Sequence, residues 1–345
     1  MDFKQQAMQQ AAENIIVDAH LDLLKDLHYL RNRGKIKVFE TDYLEDFKRG
    51  GVNVVVASIF IDDEYIPEMA LRIALGQVSC LYHELEESPG VIALCKNFDD
   101  VKAAIEQDKV AILLSFEGVE PLLKDLNLLQ IFYELGVRLI GMTWSRQNYA
   151  ADGSRFFVER RGREGGITEF GSKILDFAAS KGMLIDLSHI NDIGFWDIID
   201  LYQGPVIASH SNCRELNDIP RNLSDDMIKA IAQRGGVVGI NAVSIIAAPS
   251  DEDIGFHSLV NHIEHIAHLV GPEHVGFGFD LCKKISAIYD SPLAHKMERK
   301  PFDILDNYSN IHDLLEIMIA RGFSDSDIKK ICGSNFLRVV EKAFR

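Results

Sequence analysis

The sequence lacks the features that mark disulfide-rich, membrane-spanning and nucleic-acid-binding proteins. Its 345 residues include five scattered cysteines, which form no Cys-x-x-Cys pair, so neither a disulfide framework nor a structural zinc knuckle is expected. No run of about 18 apolar residues occurs, and the N-terminus has no apolar segment typical of a signal peptide. Basic residues are outnumbered, because 36 Lys and Arg against 52 Asp and Glu give a formal net charge of -16. We therefore expect a cytoplasmic protein that binds neither nucleic acid nor an anionic membrane surface.

The hydrophobic residues, 47% of the chain, are enough for a large core and fall into short runs. Eight runs rich in β-branched residues span 15–19, 52–60, 110–116, 137–143, 183–187, 205–209, 236–241 and 274–279. Continuous apolar runs of this length are typical of strands buried on both faces of a parallel sheet. Segments with helical periodicity lie between several of them, at 66–87, 125–135, 167–181, 193–202, 225–233 and 259–270, and residues 311–344 form a last helical stretch broken near Gly322 and Gly333.

Alternating strands and helices predict βαβ units, and eight such strands predict a closed barrel. The fold class expected is therefore α/β, with a (β/α)8 TIM-like barrel forming a single domain over residues 1–345. The run 91–94 is left over, and is either a ninth strand or a small excursion. A doubly wound open sheet is the alternative, but no Gly-rich phosphate-binding fingerprint follows the first strand.

Five of the eight predicted strands end in a histidine or a carboxylate. In a barrel these carboxyl ends converge on one face, which is where active sites lie. Imidazole and carboxylate together are the usual ligands of zinc hydrolases, and one catalytic zinc needs fewer than are present here. The surplus predicts two metal ions. The candidate ligands are His20, Asp22, Glu117, His189 and His210, with Asp280 at the end of the eighth strand.

The spacing of these residues suggests how they divide between two ions. His20 and Asp22 are two apart on an extended segment, so their side chains point the same way and can hold one metal. Glu117, from another strand, is the natural bridge to the second. Each residue also has a structural alternative, such as Asp22 capping the helix that follows it. Those alternatives require five unrelated explanations, whereas the metal centre requires one.

Several segments carry a resemblance to a known family. They are 17–22 (Val-Asp-Ala-His-Leu-Asp), 115–118, 187–189, 208–211, 220–222, 274–280 and 333–336. In this order the sequence resembles the membrane (renal) dipeptidase family of zinc peptidases, as a soluble bacterial-type member, over nearly the whole chain.

The resemblance implies a metal-dependent hydrolase barrel with two divalent ions, zinc in this family, and a homodimer. It implies that a hydroxide shared by the metals hydrolyses the amide bond of dipeptides, including those with a C-terminal D-residue. The residues that match the family's ligands are His20 and Asp22 for one zinc, His189 and His210 for the other, and Glu117 as the bridge. It further implies that Arg221 binds the substrate's terminal carboxylate and that Asp280 passes a proton from the water to the leaving amine.

Two positions depart from the family's pattern. Trp144 stands where well-studied animal members have a histidine that contacts the substrate carbonyl, so Trp144 is a candidate substrate-binding residue of altered role. Cys282 stands where many members have a second acidic residue, and its plain interpretation is a small hydrophobe.

Other features and other functions stay open at this point. His257, His262, His265 and His268 lie on one helical segment, interpreted as a partner-facing or solvated helix rather than a metal site. A Gly-rich loop with Arg155, Arg160, Arg161 and Arg163 is either a lid over the site or solvated. Asp186 is a candidate for orienting His189. The alternative functions are hydrolysis of cyclic amides, lactones or phosphoesters on the same barrel, and a non-catalytic metal-bound sensor.

Overall fold

Nine parallel strands form one sheet, and eight of them follow one another around a barrel. The structure, a computed structural model, describes residues 2–156, 162–286 and 299–344, without the side chains of residues 285 and 286. The strand order is β7-β6-β5-β4-β2-β1-β9-β8, and β3 pairs with β4 outside this path. The strands are β1 (Ile16–Leu21), β2 (Val52–Phe60), β3 (Ile92–Leu94), β4 (Val110–Glu117), β5 (Val137–Gly141), β6 (Leu184–Asp186), β7 (Val206–Ile207), β8 (Val238–Ile240) and β9 (Val275–Phe277).

The barrel closes where the two ends of this strand order meet, between β7 and β8. Ala208 forms a parallel bridge with Val238. The Ala208 amide donates to the Val237 carbonyl at 3.0 Å, and the Gly239 amide donates to the Ala208 carbonyl at 2.8 Å. These bonds turn the sheet into a cylinder, so the (β/α)8 barrel is confirmed and the open doubly wound sheet is not formed.

The central strands are buried along their length, as continuous apolar runs predict for parallel sheets. Every residue of β4 is buried. Its register with β2 is unbroken from Val54 opposite Ala111 to Phe60 opposite Glu117. A regular ladder of this kind leaves little freedom at its last residue, so the position of Glu117 is determined by the barrel itself.

Helices lie between the strands, and ordinary capping chemistry limits many of them. Side chains of Thr168, Asn191 and Ser224 accept backbone N–H bonds at helix starts. Gly136 and Gly182 end helices in the left-handed region. The helices are α1 (Phe3–Glu13), α2 (Leu23–Arg31), α3 (Leu44–Gly50), α4 (Ala70–Glu87), α5 (Phe98–Glu106), α6 (Leu126–Leu135), α7 (Glu169–Lys181), α8 (Asp192–Leu201), α9 (Asp225–Gln233), α10 (Ser244–Ala247), α11 (Phe256–Val270), α12 (Lys283–Ser286), α13 (Ile311–Ala320), α14 (Asp325–Lys329) and α15 (Asn335–Ala343). Within the described ranges, none of these helices has the length and apolarity needed to cross a bilayer.

The predicted strands agree with the structure in number and differ at their ends, whereas several helices were not predicted. Each of the eight predicted runs contains or overlaps a barrel strand, and the run 91–94 is the short strand β3 beside β4. The C-terminal stretch is helical and is interrupted at Gly322, where φ is +94°. The helices without a predicted counterpart are α1, α2, α3, α5 and the one-turn helices α10 and α12.

The histidine-rich segment matches the solvated helix expected from the sequence only in part, since His257 and His268 are exposed and His262 is not. It is α11, which packs between α9, α13 and β9, and His262 is fully buried. The His262 ring is satisfied on both sides, because Nδ1 accepts from the Cys213 amide at 3.2 Å and Nε2 lies 2.9 Å from the Ala247 carbonyl oxygen. His262 is therefore a structural core residue.

Gly239 lies at the contact between β7 and β8 that closes the barrel, and its amide donates to the Ala208 carbonyl. A Cβ at this position would collide with the carbonyl oxygen of Ser209. We expect Gly239→Ala to lower the free energy of unfolding by about 1–3 kcal/mol through overpacking. Gly90→Ala is the control, because a Cβ there meets nothing within 4 Å. Urea denaturation of both variants measures the effect. Equal stabilities would show that the contact between β7 and β8 tolerates a side chain at residue 239.

Candidate metal centre

At the carboxyl end of the barrel, three imidazoles from three different strands meet around the carboxylate of Glu117, which comes from a fourth strand. His20 lies in β1, Glu117 ends β4, and His189 and His210 follow β6 and β7. Glu117 Oε2 is 3.5 Å from His20 Nε2. Glu117 Oε1 is 3.1 Å from His189 Nε2 and 3.7 Å from His210 Nε2. Glu117 thus presents one oxygen to His20 and the other to the remaining two imidazoles.

Two further carboxylates surround His20. Asp22 Oδ1 lies 3.9 Å and Asp280 Oδ1 3.7 Å from His20 Nε2. Asp22 occupies the cap position of α2 but makes no side-chain capping bond. It accepts instead from the Ser58 hydroxyl, so the capping alternative considered from the sequence does not explain this residue.

The donor atoms at the centre lack the partners that buried polar atoms normally have. His20 Nε2 and Glu117 Oε2 are buried without any hydrogen bond in the part of the chain that the structure describes. Donor atoms of His20, Glu117 and His210 all lie within 4.8 Å of one another. Burying a polar atom without a hydrogen bond or a bound ion costs free energy, so such atoms normally have a partner. Imidazole nitrogen and carboxylate oxygen are the ligand set of zinc, so the residues fit a divalent cation.

The electrostatics of the centre also favour a cation. Burial alone would lower the pKa of His20, but the carboxylates of Glu117, Asp280 and Asp22 reverse this and raise it to about 10. Burial raises the pKa of Glu117 to about 8 and that of Asp280 to about 6, with His20 opposing both shifts. Burial of the carboxyl groups and their closeness to one another both favour bound protons at this centre. A metal ion can supply the positive charge in place of those protons.

The pKa values of the other two imidazoles, His189 and His210, are shifted in the opposite direction from that of His20. Burial lowers the pKa of both His189 and His210 well below the usual value, and Arg221 adds to the effect. Both rings are therefore neutral at physiological pH, which is the form that binds metals.

Each of these two rings is held from behind by a serine that the sequence analysis did not single out. His189 Nδ1 is 2.8 Å from Ser145 Oγ, and His210 Nδ1 is 2.6 Å from Ser209 Oγ. Asp186 does not contact His189 as considered, since its carboxylate accepts from the Ser209 hydroxyl and amide. The available signal was the position of both serines directly beside strand ends, but serine is too common there to be selective.

Two residues of the centre adopt backbone conformations that are unusual for side chains of their size. His189 has φ of +67° and Asp280 has φ of +58°. Left-handed conformations in non-glycine residues are uncommon and gather at functional sites. Both turns redirect the chain as it leaves a strand and aim the side chain at the shared centre.

Arg221 lies beside the centre and keeps part of its guanidinium unused. It is buried, and its terminal nitrogens donate to the Ser211 hydroxyl at 3.0 Å and to the His210 carbonyl at 2.8 Å. Arg221 Nε has no hydrogen-bond partner among the described residues. Burial lowers the Arg221 pKa to about 10, so the group stays charged and can accept an anion.

Trp144 forms part of an aromatic surface at the edge of the centre. Its ring centroid lies 5.3 Å from that of Phe60 and 5.9 Å from those of Phe156 and His189. The guanidinium of Arg146 lies 5.1 Å from the Trp144 ring and is itself tied to Glu120 at 2.8 Å. Trp144 is half-buried and therefore offers an apolar face next to a ligand imidazole.

The remaining candidates lie away from the cluster or outside the description. Cys282 Sγ is 3.0 Å from Asp303 Oδ1 and belongs to a separate hydrogen-bonded turn. In the Gly-rich loop, Arg160 and Arg161 fall outside the described residues, and Arg163 is exposed.

Comparison with known proteins identifies the family of this chain. The family model described as "Membrane dipeptidase (Peptidase family M19)" matches residues 4–344. The chain belongs to the membrane dipeptidase family. It is thus a peptidase hydrolase of a metal-dependent family, as its sequence motifs indicated.

Individual members of this family align with most of this chain. It is 27% identical over 325 residues to the dipeptidase verJ of Clonostachys rogersoniana, covering 94% of this chain and 76% of that one. It also resembles the solved structure of an M19 dipeptidase called dipeptidase AC, with a TM-score of 0.83 at 24% identity, covering 96% and 99% of the two chains. A metallo peptidase from Rhodobacter sphaeroides, solved with a phosphinate mimic of L-Ala-D-Ala, gives a TM-score of 0.83 at 23% identity, with the same coverage. These two structures support the barrel fold.

The position of Glu117 between three imidazoles can be tested directly by metal analysis. We expect Glu117→Gln to lower divalent-metal affinity by more than about 100-fold, because even outer-shell partners of metal ligands contribute 10–100-fold. Competition with a chelating dye measures the affinity. Glu120→Gln is the matched control, since its buried carboxylate pairs with Arg146 rather than with an imidazole. Retention of metal by Glu117→Gln would exclude Glu117 as a ligand.

Proposed function

We propose that this protein is a two-zinc dipeptidase that hydrolyses the amide bond of dipeptides, including those with a C-terminal D-residue. The observation that carries the proposal is the division of the Glu117 carboxylate. Its Oε2 faces His20, whereas its Oε1 faces His189 and His210. One oxygen toward each of two ligand groups is the arrangement expected for a carboxylate that bridges two cations.

The chain supplies a complete ligand set for both proposed positions. His20 and Asp22, with Glu117 Oε2, would hold one cation, and His189 and His210, with Glu117 Oε1, would hold the other. Two divalent cations bound there would supply an activated water and polarise the scissile carbonyl. Zinc is proposed because nitrogen-rich ligand sets with carboxylates suit it best.

Arg221 and Asp280 would position the substrate and move the proton. The unpaired Arg221 Nε–H and the remaining terminal N–H groups can bind a carboxylate by charge-assisted bonds. The Asp280 carboxylate faces the same centre and is fixed by the Asn241 amide, which donates to Oδ2 at 2.9 Å. A carboxylate held in this position can take a proton from the attacking water and return it to the leaving amine.

Trp144 would bind a substrate side chain rather than the carbonyl oxygen. The surface that it forms with Phe60 and Phe156 is apolar and borders His189. Burial of a large apolar side chain against such a surface is favourable. We propose that this surface selects dipeptides with one bulky apolar residue.

The wider proposal follows the family. The dipeptide mimic bound by the Rhodobacter sphaeroides enzyme supports L,D-dipeptides as substrates. We also propose that residues 1–345 form a single barrel domain and that the protein is a cytoplasmic homodimer. Another hydrolase activity on cyclic amides, lactones or phosphoesters is less favoured, because those substrates need not carry the carboxylate that Arg221 would bind.

The role of Arg221 predicts a requirement for a free C-terminal carboxylate. Zinc-loaded protein should hydrolyse L,L- and L,D-dipeptides but not their C-terminal amides, lactones or phosphotriesters. Arg221→Lys should lower kcat/KM for dipeptides by about 10–100-fold, as expected for a charge-assisted bond of 1.5–3 kcal/mol.

A matched substitution tests whether that loss is specific. Arg214→Lys changes an arginine that pairs with Asp192 in an exposed ion pair, 2.7 Å between Arg214 and Asp192 atoms, and should leave kcat/KM unchanged. Equal turnover of dipeptides and their amides by the wild type would contradict the assignment of Arg221. No turnover of any dipeptide by zinc-loaded protein would favour the sensor alternative.

The aromatic surface predicts a dependence on side-chain size. Trp144→Ala should lower kcat/KM by about 10-fold or more for dipeptides with a bulky apolar residue, since a lost apolar contact is worth 1–3 kcal/mol. Ala-Ala should be affected far less, and it serves as the internal control. Varying the bulky residue at the first and second positions identifies which one meets Trp144. A loss that is the same for all substrates would argue for a role at the carbonyl instead.

A further inference from the structure

Asp186, at the end of β6, is a carboxylate with more hydrogen bonds than a simple strand-end residue needs. It is buried, and its Oδ1 accepts from the amides of Ser188 at 3.0 Å and Ser209 at 2.8 Å. Its Oδ2 accepts from the Ser209 hydroxyl. Two amides and one hydroxyl thus donate to this carboxylate, which acts as the acceptor in all three bonds.

The Ser209 hydroxyl connects this carboxylate to a ligand ring. Ser209 Oγ also lies 2.6 Å from His210 Nδ1. A hydroxyl has one proton to donate, and Ser209 donates it to Asp186 Oδ2. The lone pair of Ser209 must then accept from a proton on His210 Nδ1. In a neutral imidazole with Nδ1 protonated, Nε2 carries the free lone pair.

We propose that Asp186 and Ser209 are positioning residues that fix His210 in the tautomer whose Nε2 is free to bind metal. This inference rests on the proposed function only in taking His210 as a metal ligand. Outer partners of this kind commonly orient ligand histidines and raise their basicity. Here the carboxylate acts through an intervening hydroxyl, and it lies on the neighbouring strand.

The second ligand ring is held differently, which gives an internal comparison. His189 Nδ1 meets Ser145 Oγ at 2.8 Å, and in the described part of the chain no carboxylate bonds to that hydroxyl. The Ser145 hydroxyl can either donate to Nδ1 or accept from it, so it does not itself select a tautomer. His189 Nε2 lies 2.9 Å from His210 Nε2 and 3.1 Å from Glu117 Oε1, so in the metal-free protein the His189 proton belongs on Nε2 when His210 Nε2 is the acceptor. Asp186 acting through a serine is therefore specific to His210.

A purely structural role for Asp186 is distinguishable from this one. The bond from the Ser209 amide connects β6 to β7, the bond from the Ser188 amide is local to the end of β6, and neither involves the Ser209 hydroxyl. Ser209→Ala keeps both backbone bonds and removes the hydroxyl that joins Asp186 Oδ2 to the ring. Asp186→Asn keeps an acceptor for the backbone but offers an N–H₂ to Ser209. Ser209 would then donate to His210 Nδ1, which moves the ring proton to Nε2.

The experiment reads the tautomer directly, by long-range 1H–15N NMR of metal-free protein labelled with 15N-histidine. Wild type should show His210 protonated on Nδ1, Asp186→Asn should show the proton on Nε2, and Ser209→Ala should show a mixture. Zinc affinity, measured with a chelating dye, should fall about 10–100-fold in both variants. Ser145→Ala, the matched serine variant, should weaken zinc binding less than Ser209→Ala.

Each outcome bears on the inference independently of turnover. Wild-type His210 protonated on Nε2, or an unchanged tautomer in Asp186→Asn, would overturn it. Equal zinc losses in Ser145→Ala and Ser209→Ala would also overturn it, since the carboxylate would then contribute nothing. Should the wild type bind zinc with the expected tautomer but cleave no dipeptide, the proposed function fails while this inference stands. Thermal unfolding of Asp186→Asn measures any loss of stability from a weakened bond between β6 and β7.

Discussion

Closure of the parallel barrel is the constraint on which the metal centre depends. The bonds between Ala208 and the Val237–Gly239 segment bring β7 and β8 together. Without this seam the sheet would be open, and the ends of β1, β4, β6 and β7 would lie along an edge rather than around a point. Parallel strands give every carboxyl end the same direction, and closure gives those ends a common centre. The ligands are therefore assembled by backbone hydrogen bonds far more than by contacts among themselves.

At that centre the protein maintains an arrangement that is unfavourable in isolation. The buried carboxylate of Glu117 and the half-buried ones of Asp22 and Asp280 surround His20. His20 Nε2 and Glu117 Oε2 make no hydrogen bond among the described residues. Burial of unpaired polar atoms and of like charges costs free energy, and the left-handed backbone at His189 and Asp280 adds strain. A rigid barrel can bear these costs because its core supplies stability elsewhere. Binding of a cation relieves them together, which couples metal affinity to the preformed geometry.

The barrel, and the convergence of the candidate ligands at one end of it, could be predicted from the sequence because both depend on local pattern and chain order. Strand runs such as 110–116 are visible as continuous β-branched segments, and the ligands directly follow them. The supporting partners could not be predicted in this way. Ser145 meets the His189 ring from a distant segment of the chain. Ser209 is next to His210 in sequence, but its second bond goes to Asp186 on the neighbouring strand, and neither long-range contact is visible in local pattern.

The buried histidine of α11 illustrates the same limit. Four histidines on one helix indicate a polar face, yet His262 is enclosed by Cys213 and Ala247 from other elements. Periodicity identifies a helix, but it does not identify which polar side chains find partners inside. A core histidine with both nitrogens satisfied is indistinguishable in sequence from a solvated one.

The two sides of the centre differ in charge, and this difference bears on how a dipeptide would lie. His20 is flanked by Asp22 and Asp280, whereas His189 and His210 lie near the positive charge of Arg221. A dipeptide is itself polar, with an amine at one end and a carboxylate at the other. Two cations bound at the centre would offset the negative charge of Asp22, Glu117 and Asp280, so that side would not repel a carboxylate. Arg221 would still attract the substrate's carboxylate, and this attraction would orient the substrate with its amide bond toward Glu117.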